Sequence, residues 1–173
     1  MIYKEIRLRA LEPEDLELLY KWENNTSNWT ISNTIKPFSK FTLKRYVDVS
    51  HKSIYEIGQL RLMIDYLPDN VSIGSIDIFD FDPYHLRAGL GILIADEKYR
   101  RKGLAFMSLT CIIDYCFRTL QLHQLYCNIA ADNLESIQLF GKLGFTRAGI
   151  KKEWIKTPEG YIDEHIFQRI NEG

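Results

Sequence analysis

The sequence predicts a single α/β domain built on a mixed β-sheet with flanking helices. The chain has 173 residues, and one domain of this size can bury roughly 70% of its unfolded surface. A strand, a long apolar helix and a second strand succeed one another over residues 87–131, which is typical of a right-handed parallel crossover. Turn residues at 67–70 and 158–160 predict antiparallel hairpins. Parallel and antiparallel pairs therefore meet in one central, twisted sheet of about seven strands.

The amino-terminal half carries the signals of one strand, two helices and one hairpin. The predicted elements are a strand at 5–11, helices at 13–24 and 41–51, and strands at 59–66 and 71–81. The first strand alternates apolar with basic residues, and the first helix begins at Pro13 with acidic residues in its first turn. Residues 24–40 are polar and aromatic without periodicity, which is typical of a surface loop.

The carboxyl-terminal half predicts the crossover and a final hairpin. The predicted elements are strands at 87–95, 124–131, 146–157 and 160–170, and a largely buried helix at 103–120. Gly89 and Gly91 lie inside the first of these strands, and we interpret them as a bulge because glycine inside a strand usually marks one. Asp132 and Glu135 resemble a capping box for a helix that ends at Gly144.

Composition and charge disfavour several classes of protein. With 22 Lys plus Arg against 23 Asp plus Glu, the net charge of −1 gives no electrostatic reason to expect a nucleic-acid partner. No stretch approaches the ~20 apolar residues that cross a bilayer, and no signal peptide follows Met1, so we expect a cytoplasmic protein without a membrane partner. Cys111, Cys116 and Cys127 lie inside apolar patterns, which is typical of core residues and not of a disulfide or metal site. Cys127 as a nucleophile is the alternative.

A basic, glycine-bearing turn separates the strand at 87–95 from the buried helix. Its residues are Arg100, Arg101, Lys102, Gly103, Leu104 and Ala105. The first amides of a helix have no partners inside the helix, and the helix dipole adds partial positive charge there. Gly103 lets an anion approach the backbone without meeting a Cβ, and the three cations attract the anion from a distance. The turn therefore predicts a phosphate-binding site.

This turn also carries a resemblance to a known family. Arg100, two variable residues, Gly103, one variable residue and Ala105 match the pyrophosphate-binding signature of the GNAT superfamily of N-acetyltransferases. The resemblance continues in chain order through Asp132, Asn133, Ser136, Leu139, Gly144 and Phe145. Within the superfamily, the chain is most similar to the branch of the spermidine and ribosomal-protein N-terminal acetyltransferases.

The resemblance implies acetyl-CoA as co-substrate, with its pantetheine arm in a splay between the two parallel central strands. The implied coenzyme contacts are the backbone of Ile92, Leu93 and Ile94, the turn from Arg100 to Ala105, and the side chain of Asn133. A helix cap is the alternative role for Asn133. Residues 24–40 would cover the acceptor pocket. Dimers are common in the family, so a homodimer is the assembly that the resemblance suggests, and no metal is expected.

Acetyl transfer to an amine also needs a proton donor and a proton acceptor. Many family members carry Tyr where this chain has Phe140, and Ser136 matches a serine proposed to protonate the thiolate in the ribosomal-protein branch. The other interpretation of Ser136 is a polar residue in the first helical turn. The leaving thiolate has a pKa of about 8.5, so weak acid assistance is sufficient.

The proton acceptor is needed because an alkylammonium of pKa about 10.4 is neutral only about once in 2,500 molecules at pH 7. Related spermidine enzymes carry Glu where this chain has Gly89. We favour Asp77, since it interrupts an apolar run and would be costly to bury without a partner. The other candidates are Glu23, Asp80, Asp82 and His85.

The sequence therefore predicts an acetyl-CoA-dependent N-acetyltransferase in which a primary amine attacks the thioester directly in a ternary complex. The acidic turn at 80–82 suits a cationic acceptor, although polyamines, peptide amino termini and aminoglycosides all satisfy that condition. A coenzyme-binding sensor or assembly protein that has lost catalysis is the alternative. It is motivated by Phe140 and Gly89, which stand where relatives carry reactive side chains.

Overall fold

One eight-stranded sheet organises the residues that the computed structural model describes, 1–32 and 34–173. The strands are β1 (Ile2–Tyr3), β2 (Ile6–Ala10), β3 (Leu60–Tyr66), β4 (Val71–Asp82), β5 (Arg87–Ile94), β6 (Gln124–Ala130), β7 (Thr146–Thr157) and β8 (Gly160–Ile170). Their order is β1-β2-β3-β4-β5-β6-β8-β7, with β5 and β6 parallel and the other neighbouring pairs antiparallel. The predicted mixed sheet is confirmed, and β1 is a strand that the sequence did not indicate.

Helices cover the sheet from both sides. They are α1 (Leu16–Glu23), α2 (Thr26–Ser32), α3 (Lys40–Val49), α4 (Ile54–Ile57), α5 (Leu104–Arg118) and α6 (Leu134–Lys142). The short helices α2 and α4 were not predicted. Neighbours help to hold α2 in place, because the Trp29 indole Nε1 donates to the Glu23 carbonyl at 2.8 Å. Position 33, inside the predicted aperiodic stretch, lies outside the described residues.

Each face of the sheet has its own apolar core. On one face, Ile76 and Ile78 of β4 pack in the same core as Leu109 of α5 and Phe140 of α6. On the opposite face, α1 and α3 bury a smaller core that includes Met63 of β3. Because side chains alternate along a strand, a polar residue between Ile76 and Ile78 of β4 faces α1 and α3.

The parallel pair of β5 and β6 is short. The strands are in register at Arg87 with Gln124, Ala88 with Leu125, and Gly89 with Tyr126. Beyond these positions, β5 continues beside β4 while β6 continues beside β8. The resulting gap is the predicted splay between the two parallel strands.

The glycines of β5 do not form the predicted bulge. This strand pairs with β4 without interruption from Gly89 to Ile94, and the register shift lies between Phe79 and Asp82 of β4. A Cβ added to Gly89 would lie 2.3 Å from Cε2 of Phe79, whose ring covers this part of β5. The bulge prediction is therefore wrong, since Gly89 instead allows the close approach of an aromatic ring.

Helix α6 also begins differently from the prediction. Asn133 is its N-cap, because Asn133 Oδ1 accepts a hydrogen bond from the Ser136 amide at 3.1 Å. The predicted capping box of Asp132 and Glu135 is therefore wrong. At the other end, Gly144 has a left-handed φ of +82°, and the rings of Phe140 and Phe145 meet edge to face at 5.1 Å, as the sequence indicated.

Candidate active site

The amino-terminal end of α5 opens into a cavity of about 840 Å³ between α5 and α6, the outer groove. Gly103 precedes the helix in a left-handed conformation with φ +76°, and a Cβ added there would meet no atom within 4 Å. The first hydrogen bond of the helix runs from the Met107 amide to the Gly103 carbonyl at 3.1 Å. The amides of residues 104–106 therefore have no partner inside the helix. The groove therefore presents backbone donors at the positive end of a helix dipole.

The outer groove brings together every predicted coenzyme-binding residue except Lys102. Its lining includes Ile92, Leu93, Ile94, Arg100, Arg101, Gly103, Leu104, Ala105 and Asn133. The Lys102 ammonium instead lies over the ring of Tyr99, 5.6 Å from its centroid. Ser136, predicted as a catalytic residue, also lines this groove.

The two arginines of the turn differ in role. Arg100 holds the turn together, since its Nε donates to the Ile94 carbonyl at 2.9 Å and its Nη2 to Asn28 Oδ1 at 3.0 Å. Arg101 reaches from the turn to Glu135 of α6, with Nη2 2.6 Å from Oε1 and both side chains exposed. Exposed ion pairs of this kind contribute little to stability. The Arg101 guanidinium can therefore exchange Glu135 for an anion at low cost.

The splay contains a second cavity of about 360 Å³, the splay cavity. It shares Ile92, Asn133 and Ser136 with the outer groove, so the two cavities adjoin. The buried ring of Phe140 forms part of its wall and offers no hydroxyl. Ser136, one helical turn earlier, is half-buried, and its Oγ has no hydrogen bond with another described residue. It is therefore the hydroxyl placed to donate into this cavity.

Cys127 forms another part of the wall of the splay cavity. Burial raises the pKa of its thiol to about 12, so at neutral pH the thiol is rarely ionised. The thiolate is the nucleophilic form, and the described residues 1–32 and 34–173 place no hydrogen-bond partner on this sulfur. This chemistry fits the predicted core role of Cys127 and disfavours the nucleophile alternative.

Asp77 lies on the face of α1 and α3, next to the splay. It pairs in register with Gly91 of β5, and a Cβ added to Gly91 would lie 4.0 Å from the Asp77 Cβ. Arg61 donates to both oxygens of Asp77, at 2.7 and 3.0 Å, and also to Glu23 Oε1 at 2.5 Å. Burial by itself lowers the pKa of Arg61, but Asp77, Tyr46 and Glu23 outweigh it and raise that pKa. One cation thus faces two carboxylates, which leaves the cluster with a net negative charge.

A carboxylate that the sequence reasoning missed lies on the other side of the splay. Glu164 of β8 is 6% exposed and lines the splay cavity. It also lines a third cavity of about 500 Å³ beside Trp29 and Trp154, the Trp chamber. Its Oε2 accepts a hydrogen bond from Lys151 Nζ at 2.7 Å. The available signal was a carboxylate between Ile162 and Ile166, two apolar residues on the same face of a strand.

The remaining candidate acids and bases lie elsewhere. Asp80 and Asp82 line a separate cavity of about 610 Å³ near the start of β5, where the Tyr126 hydroxyl donates to Asp80 Oδ2 at 2.7 Å. The His85 amide donates to Asp82 Oδ1 at 2.9 Å and is the main cause that lowers the pKa of Asp82. Asp80 and Asp82 lie at the end of β4 and His85 lies in the turn that follows, at the opposite end of β5 from the splay cavity.

Comparison with known proteins decides the family. A family model described as an acetyltransferase (GNAT) domain matches residues 5–146. The chain belongs to the GNAT acetyltransferase family. As a member it is an acyltransferase, and its co-substrate is acetyl-CoA.

Individual relatives agree with this assignment. Spermidine N(1)-acetyltransferase of Escherichia coli is 29% identical over 146 residues, which cover 83% of this chain and 74% of that protein. The E. coli [ribosomal protein uS5]-alanine N-acetyltransferase is 36% identical over 74 residues, 43% of this chain and 38% of that protein. The crystal structure of spermidine N-acetyltransferase from Vibrio cholerae in complex with CoA and spermine has a TM-score of 0.87 at 23% identity, covering 96% of both chains.

Two further properties of the described residues bear on partners. None of the helices within residues 1–32 and 34–173 is long and apolar enough to cross a membrane. In the same part of the chain, no group of three or more His, Cys, Asp and Glu side chains is arranged to hold a metal ion.

Proposed function

We propose that the protein acetylates a primary amine of a small polycation of the polyamine class, by direct attack of the amine on acetyl-CoA in a ternary complex. One observation carries this proposal. The splay cavity adjoins the outer groove on one side and shares Ile155 and Glu164 with the Trp chamber on the other. A donor and an acceptor that enter from opposite faces of the sheet can therefore meet inside the splay. The match to a spermidine acetyltransferase supports the choice of acceptor class.

The outer groove fits the coenzyme. The amides of residues 104–106 and the Arg101 guanidinium offer donors and positive charge for the diphosphate, and the open space at Gly103 lets it approach the backbone. The edge of β5 that faces the splay can pair with the amides of the pantetheine arm as an added strand would. Bound acetyl-CoA supplies an acetyl group activated as a thioester.

The side chains around the splay account for the protons. The reaction forms a C–N bond and breaks the C–S bond, and the ammonium form of the acceptor loses two protons in total. We assign Asp77 as the group that accepts one of these protons and passes it to solvent, and Ser136 as the donor that returns the other to sulfur. Arg61 donates to both oxygens of the Asp77 carboxylate and so fixes its orientation. The Asp77 side chain is 29% exposed, so solvent can take up the proton from it.

The function is tested with purified protein, acetyl-CoA and a panel of amines. Spermidine and spermine are compared with a peptide that begins with alanine and with an aminoglycoside, while free thiol and product mass are measured. We expect thiol release and a mass increase of one acetyl group with the polyamines. Turnover confined to the peptide or the aminoglycoside would contradict the acceptor class.

Asp77→Asn tests the assigned proton acceptor against a matched control. Asp65→Asn removes another arginine-paired carboxylate on the same face, where Arg7 Nη2 lies 2.7 Å and Arg9 Nε 3.0 Å from Asp65 Oδ2. Both variants lose arginine ion pairs, and neither carboxylate lines the three cavities. Asp77 differs because it pairs in register with Gly91 of β5, which lines the splay cavity, whereas Asp65 pairs with Arg7 of β2 and Ser72 of β4. We expect Asp77→Asn alone to lower kcat, by about 100-fold or more. Equal effects of the two substitutions would show that the loss is structural.

Phe140 favours a second candidate function, a sensor or assembly protein that binds acetyl-CoA without transferring the acetyl group. The ring is 4% exposed, packs against Phe145 and supplies no proton to the splay cavity. Calorimetry and the thiol assay together separate the two functions, because both an enzyme and a sensor bind CoA but a sensor releases no thiol with any amine. The homodimer and the cytoplasmic location stay predictions, and light scattering of the purified protein measures the former.

A further inference from the structure

We propose that Glu164 binds and positions the ammonium group of the acceptor at the point of acetyl transfer, and that Lys151 is its counter-ion while no acceptor is bound. The inference rests on the proposed function and adds a specificity-determining residue to it. It assigns the acceptor end of the site to β7 and β8, on the opposite side of the splay from Asp77.

The position of Glu164 is the first argument. Glu164 pairs in register with Ala130 of β6 and with Lys151 of β7. Phe167, three residues later on the same strand, lies in the core beneath α5 and α6, so alternation turns Glu164 to the opposite face. There Glu164 lines both the splay cavity and the Trp chamber. An amine that moves from the chamber towards the splay therefore passes this carboxylate.

The contacts of Lys151 are the second argument. Its Nζ lies 2.7 Å from Glu164 Oε2 and 4.9 Å from the centroid of the Trp154 ring. A primary alkylammonium is thus already held by a carboxylate and an aromatic face, which are the groups that recognise a protonated amine. The Lys151 side chain is 30% exposed while that of Glu164 is 8% exposed, so the cation is the partner able to leave towards solvent. A polyamine ammonium can then take its place on Glu164.

The backbone of β7 builds this arrangement. Its register against β8 shifts between Lys151 and Ile155, and Glu153 has a left-handed φ of +48°. Asp163 stabilises the irregular segment, since its Oδ1 accepts from the Glu153 amide at 2.9 Å and its Oδ2 from Lys152 Nζ at 2.7 Å. Bulges of this kind re-aim side chains beside active sites. Here the irregular segment carries Trp154, whose ring lies beneath the Lys151 ammonium in the lining of the Trp chamber.

The test compares steady-state kinetics of four variants with spermidine as the acceptor. For Glu164→Gln we expect the KM for spermidine to rise about tenfold or more, because the amide keeps an acceptor oxygen but loses the negative charge that strengthens the hydrogen bond to an ammonium. We expect a smaller change in kcat and unchanged calorimetric affinity for CoA. Glu164→Asp keeps the charge and should recover part of the affinity. The matched control is Asp163→Asn, which removes the neighbouring lysine-paired carboxylate on the other face of β8, keeps an acceptor oxygen for the Glu153 amide and should leave KM unchanged.

Lys151→Met separates recognition from a merely structural ion pair. If Lys151 competes with the acceptor, its removal lowers the KM for spermidine or leaves it within about twofold. A rise in KM like that of Glu164→Gln would show that the pair only holds the strands together and would overturn the inference. Wild-type KM in Glu164→Gln, or an equal rise in Asp163→Asn, would overturn it as well. Lys151→Met keeps the test decisive even where Glu164→Gln does not fold.

Failure of the proposed function gives a different result. If the wild-type protein acetylates no amine, the binding of spermidine to the protein saturated with CoA is measured by calorimetry in wild type and Glu164→Gln. Weaker spermidine binding in the variant supports the ammonium site without any turnover. Equal binding refutes the site, whatever the outcome for catalysis.

Discussion

Replacement of Gly103 by alanine tests the phosphate site at the end of α5. Gly103 has φ +76° and ψ 0°, and an added Cβ would meet no atom of the chain within 4 Å. The substitution therefore introduces no internal clash. It places a methyl group in the open space through which a phosphate would reach the amides of residues 104–106.

The structure sets the expected magnitudes. An L-residue in the left-handed region costs about 1–2 kcal/mol, which for a chain of this size lowers Tm by about 2–8 °C. We expect the affinity for CoA to fall at least about tenfold, or about 1.4 kcal/mol, because the methyl group displaces the diphosphate from the amide donors.

Gly58→Ala is the matched control for the backbone strain. Gly58 ends α4 with φ +70° and ψ 10°, and a Cβ added there also meets nothing within 4 Å. Both variants should lose similar thermal stability, measured by calorimetric scanning, while only Gly103→Ala loses affinity for CoA in titration calorimetry. Wild-type affinity in Gly103→Ala would refute a diphosphate at this helix end, and equal losses in both variants would show that strain alone weakens binding.

Three further predictions concern the splay and its surroundings. Ser136→Ala should lower kcat about 10–100-fold with unchanged CoA affinity, and an unchanged kcat would reduce Ser136 to a residue of the first helical turn. Arg61→Met should lower the free energy of unfolding in urea by about 2–4 kcal/mol, because Asp77 and Glu23 lose their cation, and an unchanged midpoint would contradict this ion-pair network. Since burial raises the pKa of Cys127 to about 12, about one thiol in 10,000 is ionised at pH 8, and its alkylation by iodoacetamide should accelerate as pH rises towards 12. Rapid modification at pH 8, seen by mass spectrometry of the native protein, would show that this thiol is accessible and ionised.

Periodic signals in the sequence predicted the long elements well. Helix α5 and the hairpin of β7 and β8 appear where apolar spacing and turn residues placed them. The short helices α2 and α4 were not predicted, because helices of this length depend on tertiary contacts such as the hydrogen bond from the Trp29 indole to the Glu23 carbonyl. The bulge assigned to Gly89 and Gly91 failed for a related reason, since the ring of Phe79 that explains Gly89 belongs to a different strand.

The candidate site also has a local part, which the sequence indicated, and a non-local part, which only the structure shows. The phosphate-binding turn is local, so its spacing of Arg100, Gly103 and Ala105 indicated both the anion and the family. The acceptor side is not local, because Asp77, Arg61 and Glu23 come from three separate elements that only the sheet and α1 bring together. Glu164 was not predicted for the same reason, since its proposed role depends on its position between the splay cavity and the Trp chamber.

By itself, the sequence determined a mixed α/β sheet, the crossover around α5 and the anion-binding helix end, because each depends on residues close together in the chain. Only the tertiary structure decided where β5 and β6 part, which carboxylates face the gap and which of them already hold a cation. Strand separation and charge pairing are set by contacts between residues far apart in sequence, and such contacts leave no periodic pattern along the chain.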